Sequence, residues 1–150
     1  MIFRWKMPNT SIDKRGREGR DKIYSMKIMH KLIECYLFDI NELKDEARYQ
    51  CVLNVLPVIG VWKERKKRIF TYFRLEDKLR SMGAGIMLKY LFDKYNIEYS
   101  YLKKNQYGKL YIDKSDILKF NISHSGDYVV CTYGSGESGV DIEKNINSMD

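Results

Sequence analysis

The sequence is poor in the residues that build metal clusters. Its 150 residues hold two histidines and three cysteines, Cys35, Cys51 and Cys131, widely spaced and without a C-x-x-C pair. That argues against a zinc site. Cys35 and Cys131 lie in apolar runs and read as small buried hydrophobes of a reduced, cytoplasmic protein. No apolar run approaches the length of about eighteen residues that a membrane span needs, and no secretory pattern opens the sequence. No internal repeat is visible. The stretch from Gly134 to Gly139 is rich in glycine and serine, but lacks the G-K-[ST] ending and the following helix of a phosphate loop. It reads as a hairpin turn.

What is present suffices for one domain with a real core: 44% hydrophobic and 13% aromatic residues. The net charge of +7 raises nucleic acid as a partner, but +5 of it falls in residues 1–30, leaving the rest nearly balanced. Those thirty residues show no sustained period and carry Asn9, Thr10, Ser11, Gly16 and Gly19, so a disordered basic extension is expected. Met26 and Met29 stand just before the first convincing strand. Translation starting there is one expectation, a genuine basic arm the other.

From Lys31 to Ile40 the sequence reads as a strand through Cys35, Leu37 and Phe38. Asn41 is a candidate cap for a helix running to about Leu56, with Leu43, Ala47, Cys51 and Val55 as its apolar face and Pro57 and Gly60 as its stop. Trp62 to Tyr72 is a basic helical segment in which Arg65 and Arg68, three apart, share a face. Leu75, Leu79, Met82, Ile86 and Tyr90 mark a long core helix over 75–95. Gly83 and Gly85 inside it each cost about 1 kcal/mol relative to alanine, which points to another element or a ligand close to the backbone. Alternation predicts a strand over 97–102. A turn at Tyr107-Gly108-Lys109 then leads into a short strand, Leu110 to Ile112.

The chemistry concentrates between Leu118 and Glu143. Asn121-Ile122-Ser123-His124-Ser125-Gly126 reads as a polar turn, whose hydroxyls, imidazole and N–H groups suit an oxyanion or phosphate. Tyr128 to Tyr133 reads as a hydrophobic strand, and Gly139 to Glu143 as a short one. Alternation sends Val140 and Ile142 one way and Asp141 and Glu143 the other, with the acidic α-carbons roughly 6–7 Å apart. Mg²⁺ would neutralise such a pair; a solvated edge is the alternative.

The combination of N-I-S-H-S-G, a hydrophobic strand, a Gly/Ser turn and G-V-D-I-E resembles the surfactin-type 4'-phosphopantetheinyl transferases. Upstream, Glu76-Asp77-Lys78-Leu79-Arg80-Ser81-Met82 is similar to their E-D-x-x-R-(S/T)-(L/M) helix start. Tyr107-Gly108-Lys109-Leu110 is similar to their Y-G-K-P turn, with leucine replacing proline. The resemblance covers about residues 31–146. It implies an α+β fold in which a small, mainly antiparallel sheet packs against the long helix, one half of a pseudo-twofold enzyme. Residues 31–150 would be the N-terminal half-domain, with the C-terminal half absent.

The resemblance also implies an activity: Mg²⁺-dependent transfer of the 4'-phosphopantetheine arm from coenzyme A to a serine of an acyl or peptidyl carrier protein. Carried over by position, Arg65 and Arg68 match the basic pair at the 3'-phosphate of coenzyme A, and Ser81 a hydroxyl at the same phosphate. Lys109 with Tyr107 and Gly108 matches the adenine and phosphate cradle. Ser123 and His124 match a second contact near the nucleotide phosphates. Asp141 and Glu143 match the metal ligands and, with His124, are the candidate catalytic residues. Two-domain members carry, beyond G-(I/V)-D-I-E, a W-x-x-K-E-(A/S) motif whose glutamate is a third ligand and candidate base. These 150 residues lack it, so the chain alone is expected to be inactive or incomplete until a second half or a dimer partner completes it. A non-catalytic remnant that binds coenzyme A or a carrier protein, and a small basic nucleic-acid-binding protein, are the alternatives.

Overall fold

The computed structural model describes residues 2–6, 22–28, 31–113, 118–134 and 139–143, with side chains over 34–113 and 118–134. In chain order the elements are β1 (Ile2–Lys6), β2 (Lys22–Ile28), β3 (Lys31–Asp39), α1 (Glu46–Val55), α2 (Gly60–Thr71), α3 (Leu75–Lys94), β4 (Leu102–Lys104), β5 (Leu110–Ile112), β6 (Lys119–Ser125), β7 (Tyr128–Gly134) and β8 (Gly139–Glu143). Strands β2-β3-β7-β6 form an antiparallel sheet, β4 and β5 a hairpin, and β1 pairs in parallel with β8. The architecture is α+β, as expected.

α3 is the axis of the packing. Leu79, Ser81, Met82, Gly83, Ala84, Gly85, Met87, Leu88, Leu91 and Phe92 are all buried, so its middle is covered on more than one side. The two glycines show how. A Cβ on Gly83 would stand 3.0 Å from Phe38 Cδ1 and 3.2 Å from Val129 Cγ2, both on the sheet. A Cβ on Gly85 would stand 3.1 Å from Leu56 Cδ2 and 3.3 Å from Arg65 Cδ, on the α1–α2 side. The expected close approach is there, and it is made from two directions. The predicted apolar stripe is buried at Leu79 and Met82, whereas its ends, Leu75 and Tyr90, are about half exposed.

Other local expectations are corrected. Asn41 is not the cap of α1. Asp39 caps a single 3-10 turn over 40–44 by accepting from Asn41 N–H at 2.9 Å, and Asp45 then caps α1 by accepting from Arg48 N–H at 2.9 Å. The inserted turn shifts the phase. Leu53 is buried and Tyr49 and Val52 half-buried, while Ala47, Cys51 and Val55 are exposed. The predicted 97–102 strand is a 3-10 turn, Tyr99–Tyr101, leading into β4, because Trp62 Nε1–H takes the Tyr99 carbonyl at 2.8 Å. Residues 121–125 are not a turn but the end of β6. The turn itself is Gly126-Asp127, with Gly126 at φ +54° as the first central residue of a two-residue hairpin.

Within residues 1–30 two strands are described: β2 pairs with β3, Met26 opposite Ile33, and β1 with β8. Extended backbone there is selected by available strand edges, not by local period. Residues 7–21 and the 135–138 part of the predicted hairpin turn lie outside the described residues. Cys131 is buried and Cys35 half-buried, as expected, and burial pushes the Cys35 thiol up to about 11.

A polar network locks the C-terminal end of α3 to the sheet. Lys94 Nζ donates to Tyr133 Oη at 2.9 Å, to Tyr36 Oη at 3.0 Å and to Glu34 Oε2 at 3.3 Å. Tyr133 and Tyr36 donate to the same Glu34 carboxylate, and their rings stack with centroids 5.2 Å apart. Tyr133 first, then Lys94 and Tyr36, hold Glu34 below the usual carboxylate range against its burial. A depressed folded value stabilises the fold above the unfolded pKa near 4.5, and that contribution is lost as pH falls through the lower folded value. Glu34→Gln is therefore expected to cost about 1 kcal/mol at neutral pH, and the gap from the unsubstituted chain should close below about pH 4. Urea melts across pH 3 to 8 measure this; a gap that does not change with pH refutes the ionic role.

Candidate functional site

The site begins on α2. Trp62 and Ile69, seven residues apart, are buried, and Trp62 packs edge-on against Phe92 and Tyr99. This fastens α2 along α3 and carries Arg65 inward, where its Cδ fills the space a Gly85 side chain would need. Arg65 Nη1 lies 3.3 Å from the Ser81 carbonyl and 3.4 Å from Ser81 Oγ, both long contacts, and Arg65 Nε is buried with no partner among the described residues. Burial, then the like charge of Arg68, push the Arg65 pKa below its ordinary value. Arg68, one turn on, is exposed.

β6 brings His124 to the same place. On the sheet face toward α3, Phe120 pairs with Tyr133, Ile122 with Cys131 and His124 with Val129. The His124 side chain is exposed, and partial desolvation, then the cations Arg80 and Arg65, with Asp77 opposing, push its pKa below the ordinary value. The imidazole therefore stands in the field of residues from both α2 and α3. Ser123, one residue earlier, is on the other face with fully buried Val130 and Thr132. The structure thus brings Arg65 against Ser81, sets His124 within the field of Arg65, and puts Ser123 on the opposite face of β6.

Arg80 was passed over as a site residue, although it stands inside the motif that begins α3. It donates from Nε to the Gly126 carbonyl and from Nη1 to Asp77 Oδ1, each at 2.9 Å. Asp77 brings one carboxylate to a locus that holds Arg65, Arg68 and Arg80, an arrangement suited to anions.

Tyr107, Gly108 and Lys109 form the β4–β5 turn, with Gly108 at φ +82°. Asn105 organises it: its Oδ1 accepts from Tyr107 N–H and Lys109 N–H, both at 2.9 Å, and its carbonyl accepts from Gly108 N–H at 3.0 Å. Those N–H groups are occupied, so the expected backbone cradle reduces to the exposed Lys109 side chain. An ion pair of 3.2 Å between Lys104 and Glu64 ties the hairpin to α2.

Asp141 and Glu143 stand two apart on β8, which lies alongside β6. Their register partners on β1 are Arg4 and Lys6. Two carboxylates at that spacing are the right donor chemistry for Mg²⁺, a hard cation that takes oxygen. A separate apolar cavity of about 230 Å³, lined by Tyr36, Phe38, Ile86, Met87, Tyr90 and Cys131 among others, contains none of the predicted site residues.

The sequence pattern of the family described as "4'-phosphopantetheinyl transferase, N-terminal" matches residues 46–135. The chain belongs to this family. The match holds Arg65, Arg68, Ser81, Lys109, Ser123 and His124; β1, β2, β3 and β8 lie outside it. Among curated relatives of this transferase family, the 4'-phosphopantetheinyl transferase gsp of Aneurinibacillus migulanus is 38% identical over 88 residues, covering 57% of this chain and 36% of its own length. The transferase Sfp of Bacillus subtilis (strain 168) is 32% identical over 87 residues, covering 54% and 38%. A further Bacillus subtilis 4'-phosphopantetheinyl transferase is 31% identical over 91 residues, covering 57% and 39%. The chain therefore spans little more than a third of the length of the relatives it matches. Among the described residues, no helix is long and apolar enough to cross a membrane.

A guanidinium whose buried Nε–H lacks a partner is a standing cost to the fold that an anion relieves. Arg65→Met is expected to leave the ligand-free chain as stable as before or more stable, by up to about 1–2 kcal/mol. Sulfate should raise the melting temperature of the unsubstituted chain more than that of the variant, over and above its general salting effect. Thermal melts in sulfate and in chloride at matched ionic strength test this. Equal sulfate shifts in the two proteins would show that Arg65 holds no anion.

Proposed function

We propose that this chain forms the coenzyme A-binding half of a Mg²⁺-dependent 4'-phosphopantetheinyl transferase acting on a carrier protein. The observation that carries this reading is the buried Arg65 Nε without a partner on a side chain that meets Ser81, with His124 in the field of Arg65 and Arg80. In this reading Arg65, Arg68 and the Ser81 hydroxyl bind the 3'-phosphate. His124, kept neutral, donates an N–H to a nucleotide phosphate, and Lys109 reaches the nucleotide from the β4–β5 turn. Asp141 and Glu143 would hold Mg²⁺, which when bound neutralises the pyrophosphate and stabilises charge developing at the phosphorus. A carrier serine hydroxyl forms the new P–O bond as the pyrophosphate bond breaks, and 3',5'-adenosine bisphosphate leaves. The serine proton needs a base.

Arg65→Ala and Arg68→Ala should each weaken coenzyme A binding by about 1–3 kcal/mol, with Arg65 the larger because it is buried. Calorimetry with dephospho-coenzyme A should show the same loss in the unsubstituted chain and no further loss in the variants. Equal affinity of the unsubstituted chain for both ligands would overturn the assignment.

The W-x-x-K-E-(A/S) segment that the resemblance ties to a base and a third metal ligand is not found within residues 1–150. Residues 1–150 are therefore expected to bind coenzyme A yet transfer little or no phosphopantetheine to a carrier protein. Fusion to a matching C-terminal half should restore transfer, and Asp141→Ala should then abolish it. Mass spectrometry of the carrier reads the added arm; robust turnover by residues 1–150 alone would contradict the expectation and point to a base within them.

A further inference from the structure

The turn between β6 and β7 is pinned from two sides. Ile40 N–H donates to the Asp127 carbonyl at 2.8 Å, fixing the turn to the end of β3. Arg80 Nε–H donates to the Gly126 carbonyl at 2.9 Å, fixing it to α3. The other end of the same guanidinium is steadied by Asp77 at 2.9 Å, and the side chain is only 22% exposed. His124 stands two residues before the pinned carbonyl. Ser81, whose hydroxyl faces Arg65, directly follows Arg80. One side chain thus spans from the helix bearing half of the anion site to the hairpin bearing the other half.

We propose that Arg80 is a positioning residue: its hydrogen bond to the Gly126 carbonyl docks the β6–β7 turn, and with it the His124 end of β6, onto α3. The inference rests on the anion-site reading above and adds a residue that touches no reacting atom. Its charge has a second effect. The charged groups facing His124 are Arg80 and Asp77 from α3 and Arg65 from α2. With burial, the two arginines disfavour an imidazolium, leaving a neutral ring that donates one N–H. Lysine at position 80 would keep the charge, but cannot offer the planar fork that reaches Gly126 and Asp77 together.

The test follows the His124 ring proton by NMR against pH in the ligand-free chain. The signal of His30 is identified with a His30→Asn variant. In the unsubstituted chain His124 should titrate below 6.5. Arg80→Gln should move the midpoint up, because it removes a cation and loosens the dock. Asp77→Asn should move it down, because the opposing carboxylate is gone. Arg80→Lys should leave it low. Calorimetry then separates charge from position: both Arg80 variants should bind coenzyme A several-fold more weakly and lose part of the preference over dephospho-coenzyme A. An unmoved His124 midpoint in Arg80→Gln, or unchanged coenzyme A affinity in Arg80→Lys, overturns the proposal. Where Arg80→Gln does not fold, the lysine and asparagine variants still decide it. If the unsubstituted chain shows no preference for coenzyme A over its dephospho form, the anion-site reading fails on its own. The His124 titration still reports whether Arg80 docks the hairpin.

Discussion

The close approach at Gly83 and Gly85 is the constraint on which the rest depends. Two residues apart on α3, they present bare backbone to opposite neighbours. Phe38 and Val129 of the sheet come down on one, and Leu56 and Arg65 of the α1–α2 layer on the other. Each glycine costs helix propensity, about 1 kcal/mol against alanine. The return is geometric: β3 and β7, the latter paired with β6 and its His124, and α2, carrying Arg65, are held against one helix that also bears Ser81 and Arg80. A bulkier α3 would separate the layers, and the separation would fall on the cationic locus.

Much of this was legible in the sequence where one residue pattern had one outcome. The long helix, the basic helix before it, β3, β5 and β7 follow from periodicity, and the close approach follows from glycine inside an apolar stripe. The failures share a cause: a long-range contact overrode a local signal. The α1 stripe was misplaced because one 3-10 turn, capped by Asp39, consumed half a helical turn before Asp45 capped the helix. The alternation at 97–102 was genuine, but Trp62 holds the Tyr99 carbonyl and the chain curls there. The polar run Asn121 to Ser125 looked like a turn by composition. It is a strand because Gly126 alone supplies the positive φ that the reversal needs.

The site was legible to a similar degree. The resemblance singled out Arg65, Ser81 and His124, and the fold sets Arg65 against Ser81, with its charge felt at His124. Spacing could not show that Ser123 faces away from its neighbour, because that depends on which face of β6 meets α3. Nor could it show that Asn105 occupies the turn N–H groups near Lys109, since an Asx contact reaches two and four residues along the chain. β1 was missed for a plainer reason. Five residues set among dense charge carry no period, and only the edge of β8 makes them a strand. That pairing puts Arg4 and Lys6 in register with Asp141 and Glu143, so the residues read as a metal pair have cationic cross-strand neighbours.

Two physical signatures separate an anion site from a solvated basic face. A solvated face keeps its guanidinium groups in water, at full hydration and with little effect on one another. Here Arg65 is half-buried, its Nε is out of water and lacks a partner among the described residues, and its contacts to Ser81 are long. Arg68 and Arg80 stand close enough to be felt by Arg65 and His124 respectively. Stability alone would replace such a group with an apolar one of similar volume. Trp62 and Ile69, both buried, anchor α2 on either side of Arg65, so the cost is confined to this one side chain. Binding an anion would satisfy the free N–H, offset the mutual repulsion and leave the backbone where it is, which is the behaviour of a preorganised site.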